Sequence, residues 1–212
     1  NNILNTAPFD SNSNWYWASA GKTLTALMVG IAQEDGLLSI EDSSAIYLGN
    51  GWTNLTAEQE GLIKIKHQLT MTTGLDYQVV NLNCTDPDCL SYKNTPGTNW
   101  FYHNATYSLL KDVIENATET SYNEFTNQKV KIKIGMGGSW IQLNNSDTYY
   151  STARDMARFG LLILNEGVWD EDVILNDTNY FSNMVNTSQE INKSYGYLWW
   201  LNGKESLIPP GT

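Results

Sequence analysis

Ser19 and Lys22 stand three residues apart in Ser19-Ala20-Gly21-Lys22, at the head of a segment whose apolar residues recur with helical spacing. Residues three apart share one face of a helix, so the hydroxyl and the ammonium come within reach of each other. A serine hydroxyl is a weak nucleophile at neutral pH and needs a base to take its proton. A lysine serves as that base only when burial or a second cation depresses its pKa. Amides at the start of the helix would also hold a negative charge developing on an attacked carbonyl oxygen. The chemistry this spacing supports is acyl transfer through Ser19, with Lys22 taking the proton. A helix-capping Ser beside a solvated Lys produces the same pattern. The setting favours the chemical reading: the aromatic run Trp15-Tyr16-Trp17 precedes it and an unusually apolar helix follows, so Lys22 opens a segment that must be buried.

The second group is Tyr102-His103-Asn104, which follows Gly97-Thr98-Asn99-Trp100-Phe101 and precedes another helical pattern. Ser19-x-x-Lys22 followed after about eighty residues by Tyr102-x-Asn104 resembles the penicillin-recognising serine hydrolases. The branch it is most similar to holds class C β-lactamases, related esterases, D-amino-acid peptidases and 6-aminohexanoate-dimer hydrolases. Further stretches fit that branch in the same order: Lys66-His67-Gln68-Leu69-Thr70-Met71-Thr72-Thr73-Gly74-Leu75, then Pro96-Gly97-Thr98, then Ser151-Thr152-Ala153-Arg154-Asp155-Met156-Ala157-Arg158-Phe159-Gly160, and finally Ser194-Tyr195-Gly196-Tyr197-Leu198-Trp199-Trp200. The resemblance implies an acyl-enzyme in which Ser19 attacks a carbonyl, Lys22 and Tyr102 shuttle the proton, and Asn104 orients Lys22 and the substrate amide. A phenol beside an ammonium favours its ionised form, and a coupled Lys/Tyr pair keeps one basic site available near neutral pH.

The resemblance also implies a third motif, Lys/His-Thr/x-Gly, on a sheet strand after Tyr-Gly-Tyr-Leu-Trp-Trp. None follows before Thr212, and Lys133-Ile134-Gly135 lies ahead of the Arg154 helix, out of order. The expectation is a chain that carries only part of the family's sheet. His67 and His103 are read as structural, because neither has a partner in sequence that would orient it as a base. Arg154 and Asp155 are expected to form a helix-end ion pair, Trp199 and Trp200 to face core and rim, and Trp140 and Tyr150 are candidates to line the acyl pocket.

Positioning these residues requires helices over residues 23–35, 65–72, 107–118, 122–130 and 153–165, each with apolar residues at helical spacing, and a strand rich in aromatics over 195–201. The fold expected is α/β (α+β), of the β-lactamase/transpeptidase type, with an antiparallel sheet flanked by helices plus a helical domain. Residues 1–36 would carry the nucleophile helix and pack on the sheet, 37–145 would form the mainly helical domain, and 146–212 would return a helix and a strand to the sheet. The site would lie between the two parts.

Composition sets the outer bounds. The 212 residues are 41% hydrophobic, 12% aromatic and 17% charged, far from the signature of disorder. A net charge of -11 without a basic stripe argues against nucleic acid. No apolar run reaches the ~20 residues of a membrane span. Residues 1–10 lack the basic region and apolar core of a signal peptide, so the expectation is one removed or never present. Asn-x-Ser/Thr recurs, at Asn104 among other sites, and compositional bias of a bacterial protein explains it more simply than glycosylation.

Cys84 and Cys89 flank Thr85-Asp86-Pro87-Asp88, a turn that could bring the sulfurs together as a disulfide. Free thiols and a metal site are the alternatives. With the disulfide, the long segment 76–98 reads as a stapled rim of the active site, and the protein as periplasmic or secreted. The resulting expectation is a serine hydrolase acting on a small-molecule ester, amide or peptide, with no cofactor implied and the match leaning towards amidases and esterases. The alternative is a penicillin-recognising sensor or binding protein that acylates without turnover.

Overall fold

The computed structural model describes residues 9–143 and 146–204. In chain order, strand β1 (Trp15–Tyr16) runs into a 3-10 turn (Ala18–Ala20) and then helix α1 (Gly21–Glu34). Four short helices follow: α2 (Ala45–Leu48), α3 (Ala57–Gly61), α4 (Ile65–Leu69) and α5 (Asn104–Ser108). Helix α6 (Leu110–Thr118) leads to α7 (Tyr122–Thr126), which continues through a π-helical segment (Asn127–Lys131) into α8 (Ile132–Ile134). Strands β2 (Ser139–Leu143) and β3 (Ser146–Ser151), helix α9 (Ala153–Leu164), the small pair β4 (Val168–Trp169) and β5 (Asp172–Val173), helix α10 (Thr178–Val185) and a 3-10 turn at Pro87–Cys89 complete the described elements.

Helix α1 is the axis of the core. Leu24, Ala26, Leu27, Met28 and Val29 are all fully buried, so the helix is apolar on every side and is wrapped by neighbours rather than laid on a surface. Gly30 permits the tightest of these contacts: a Cβ there would sit 2.4 Å from the Tyr180 ring of α10. The Tyr180 hydroxyl in turn donates to the Ala26 carbonyl at 2.7 Å. A second, smaller cluster of Trp52, Ile63, Leu75, Leu90, Ala105 and Leu109 supports the helical part.

The main sheet is antiparallel with order β1-β3-β2, registering Trp15 with Ser151, Tyr16 with Tyr150 and Trp140 with Tyr149. Its strands therefore come from each of the three sequence segments 1–36, 37–145 and 146–212, because β2 lies in the middle one. This mixed helix and antiparallel-sheet arrangement agrees with the α/β (α+β) class expected. No described helix is long and apolar enough to cross a membrane.

Three local expectations are corrected. Residues 195–201 form no strand; the chain doubles back at Leu198, with φ +60°, leaving a single bridge between Tyr195 and Trp200. The N–H of Leu198 is taken by the Leu69 carbonyl and that of Tyr197 by Met184, so helices supply the partners that a neighbouring strand would have given. The helix expected over 65–72 stops at Leu69, since Met71 takes the left-handed conformation, with φ +58°. Asp155 pairs with Arg158 rather than Arg154. Arg158 lies one turn on and on the same face of α9, whereas adjacent residues point about 100° apart on a helix. Asp155 is also committed to the start of its own helix, accepting from the Thr152 N–H and hydroxyl and from the Gly137 N–H.

Candidate active site

Ser19 is held by the strand that precedes it and the helix that follows. The Trp17 N–H donates to the Tyr149 carbonyl at 2.8 Å and its indole N–H donates to the Ser151 hydroxyl at 2.8 Å, which pins the end of β1 to β3. Ala18 then turns sharply, with φ +48°, a conformation that costs a non-glycine residue free energy. The turn leaves Ser19 exposed while Gly21, two residues on, packs where a Cβ would lie 3.3 Å from the Trp140 ring.

Lys22 is only 7% exposed. Its Nζ lies 3.4 Å from the Ser19 Oγ, 4.3 Å from the Tyr107 ring centroid and 5.2 Å from that of Tyr102. The described ion pairs leave it without a carboxylate partner; Asp147 pairs instead with Lys111. Burial without a counter-charge disfavours the ammonium and lowers the Lys22 pKa to about 8. Tyr102 stacks on Trp200, with ring centroids 5.6 Å apart. Burial raises its phenol pKa, while hydrogen bonding with Ser19 and Trp200 draws it down by less. Desolvation thus works against the ionised phenol that the neighbouring ammonium favours. Asn104 is the first residue of α5, and its Oδ1 is buried without a hydrogen-bond partner. Ser19, Lys22, Asn104 and Tyr107 together line a cavity of about 190 Å³.

The beta-lactamase family's sequence model matches residues 1–211. This chain belongs to the beta-lactamase family. A penicillin-binding protein of Bacillus subtilis (strain 168) is 31% identical over 146 residues, which is 61% of this chain and 31% of that protein. The ML-236A carboxylate methylbutanoyltransferase of Penicillium citrinum is 23% identical over 180 residues, 71% of this chain and 43% of that enzyme. The chain thus spans less than half the length of these curated relatives. Among solved structures, a penicillin-binding protein from Bacillus halodurans superposes with a TM-score of 0.74 at 18% identity, covering 97% of this chain and 75% of that one. At that identity the likeness speaks for the fold.

In this beta-lactamase-family chain the structure brings the four residues singled out in sequence near one another: Lys22 contacts Ser19 and faces the Tyr102 ring, and Asn104 lines the same cavity as Ser19 and Lys22, which Tyr102 does not line. It also brings in residues the motifs did not name. Tyr107 lies three residues after Asn104 on α5, a spacing that could have revealed it. Its hydroxyl lies 3.4 Å from the Thr25 Oγ1, which also bonds the Tyr122 hydroxyl, so the aromatic floor under Lys22 is tied to α1. Asn83, Ser108 and Asp147 complete much of the polar lining, and no local pattern marks them.

Asn83 reaches the cavity because the 76–98 segment is clamped. Cys84 and Cys89 are joined in a disulfide, the Leu82 carbonyl accepts from the Ala105 N–H at 2.8 Å, and Lys93 bonds Asp76 at 2.7 Å. His103 Nε2 lies 3.2 Å from the Asp76 carbonyl oxygen at the same clamp. His67 Nδ1 accepts from the Lys64 N–H at the start of α4, and burial, aided by the Lys64 charge, lowers its pKa to about 4. Trp199 packs on Phe159 and the core, while Trp200 is 41% exposed at the rim, as expected of the pair. Trp140 and Tyr150 do not line the cavity: Trp140 lies beneath Gly21, stacked on Tyr122, and Tyr150 packs against Tyr16 on the sheet.

Proposed function

We propose that the protein is a serine hydrolase that cleaves a small-molecule ester, amide or peptide through an acyl-enzyme on Ser19. The observation that carries the reading is a lysine buried with no ion-pair partner among the described residues, 3.4 Å from the hydroxyl of an exposed serine. Neutral Lys22 accepts the Ser19 proton as Oγ forms its bond to the substrate carbonyl. The Ser19 N–H holds the developing oxyanion, since the Ala20 and Gly21 amides already donate to the Trp17 and Ala18 carbonyls. Tyr102, still protonated, passes a proton to the leaving group as its bond to the acyl carbon breaks, and is re-protonated from Lys22. Water, activated by the same pair, then releases the acid and restores Ser19. Asn104 orients Lys22 and the substrate amide.

Members of the family are hydrolases or acyltransferases. The methylbutanoyl transfer named for the Penicillium citrinum relative is compatible with a seryl acyl-enzyme whose acceptor is an alcohol instead of water. The Cys84–Cys89 disulfide supports a periplasmic or secreted location. The test is release of nitrophenol from p-nitrophenyl butyrate by the wild type and by Ser19→Ala. Turnover by the wild type with none by the variant supports the reading; equal rates from both refute it.

A further inference from the structure

We propose that Tyr107 is a positioning residue for Lys22: its ring face seats the ammonium and strengthens the lysine as a base. The inference rests on Lys22 taking the Ser19 proton and adds a residue to that reading. Tyr107 is 7% exposed, and the Lys22 Nζ lies 4.3 Å from its ring centroid, closer than the 5.2 Å to that of Tyr102. A cation within about 6 Å of an aromatic face is attracted to the ring's negative centre, most strongly where water is excluded. The contact is built along one face of α1. The Tyr107 ring lies against Lys22 while its hydroxyl lies 3.4 Å from the Oγ1 of Thr25, three residues on. Three residues advance a helix by about 4.5 Å and return to the same face, so one tyrosine spans both side chains. Thr25 also bonds the Tyr122 hydroxyl, and Tyr122 stacks on Trp140 with ring centroids 4.7 Å apart. The ring is thereby fixed by groups that do not line the cavity.

Two influences act on Nζ in opposite senses. Burial disfavours the ammonium and lowers the Lys22 pKa to about 8, whereas the ring face favours the ammonium. The other titratable groups around Lys22 are Tyr102 and, lining the same cavity from β3, Asp147, which is paired with Lys111 of α6. Burial pushes the Tyr107 phenol well above its usual range, so Tyr107 presents a neutral ring and no phenolate charge. A group that takes the Ser19 proton and later returns it works best with a pKa near the working pH. On an aliphatic floor Lys22 would shed its proton at lower pH and take up the Ser19 proton less readily.

The experiment follows the rate of fluorophosphonate labelling from pH 6 to 10 in the wild type, Tyr107→Phe and Tyr107→Leu, and in proteins carrying 3,5-difluoro- or pentafluorophenylalanine at position 107. Fluorine withdraws negative charge from the ring face at nearly constant shape, which separates the ring's charge from its packing. Tyr107→Phe keeps the ring and is expected to keep the wild-type midpoint. Tyr107→Leu should lower the midpoint by about one pH unit, the scale of a desolvated cation–π contact. One unit below the wild-type midpoint, the fraction of neutral lysine then rises about fivefold. The fluorinated proteins should lower the midpoint in steps with fluorine count. A purely structural role would slow labelling at every pH and leave the midpoint in place. A pentafluorophenylalanine midpoint equal to that of the wild type overturns the inference. So does a Tyr107→Phe midpoint that falls as far as that of Tyr107→Leu, because the hydroxyl and not the ring would then be acting. Labelling without these shifts sinks this inference alone, and absence of wild-type labelling sinks the serine chemistry with it. NMR titration of the Lys22 ε-methylene in the Ser19→Ala protein, with tyrosine and with pentafluorophenylalanine at position 107, reads the same shift without acylation. Equal titration midpoints there also overturn the proposal.

Discussion

Replacing Lys22 with Met should make the protein more stable and less reactive at once. Burial lowers the lysine pKa from 10.5 to about 8, so holding it charged at neutral pH costs about 3 kcal/mol relative to an exposed lysine. Between pH 8 and 10.5 the unfolded chain binds the proton and the folded one does not. The penalty is therefore complete below pH 8, shrinks as pH rises and is gone above 10.5. Contact with the Tyr107 and Tyr102 rings returns part of it, leaving an expected gain of about 2 kcal/mol for Lys22→Met at pH 7. Urea denaturation from pH 7 to 10.5 checks this, with the advantage of the variant shrinking as pH rises. The rate of Ser19 acylation in the wild type follows the neutral lysine: roughly a tenth of molecules carry it at pH 7 and nine tenths at pH 9. The rate should rise about tenfold over that interval and level off. A variant less stable than the wild type at every pH, or an acylation rate whose midpoint lies above pH 10, would refute the reasoning.

Tyr102→Phe removes the phenol beside Ser19 while keeping the stack on Trp200, and should slow acylation about a hundredfold with little change in the thermal midpoint. In an exposed helix Gly→Ala adds about 1 kcal/mol of stability. At Gly30 the new Cβ would lie 2.4 Å from the Tyr180 ring, and Gly30→Ala should instead cost about 1–3 kcal/mol, read as a lowered thermal midpoint. Asp155→Ala strips the cap of α9 and the bond to the Gly137 N–H, and should cost about 2 kcal/mol in urea denaturation.

What could be read from sequence was what local spacing encodes. The run of apolar residues after Lys22 announced α1, the apolar spacing over 153–165 announced α9, and Ser-x-x-Lys with Tyr-x-Asn named residues that lie together, Ser19, Lys22 and Asn104 on one cavity and the Tyr102 ring beside Lys22. The misreadings came where long-range contacts decide. The 195–201 segment has a strand's composition, but its amides go to carbonyls of Leu69 and Met184, partners that only the folded chain reveals. Trp140 could not be assigned to core or pocket until the β2–β3 register set it under Gly21. Asp147 was invisible for the same reason: the hairpin register, not any motif, carries it to a serine 128 residues away, as the numbering shows. The Tyr102 pKa turned on burial, which sequence spacing does not measure.

The central claim is that Ser19 is the residue that becomes acylated. Intact-mass spectrometry of the wild type and Ser19→Ala after incubation with a fluorophosphonate tests it most directly. One phosphonyl adduct on the wild type, located at Ser19 by peptide mapping and absent from the variant, is the result predicted. An unlabelled wild type, or an adduct that persists in Ser19→Ala, would contradict the account.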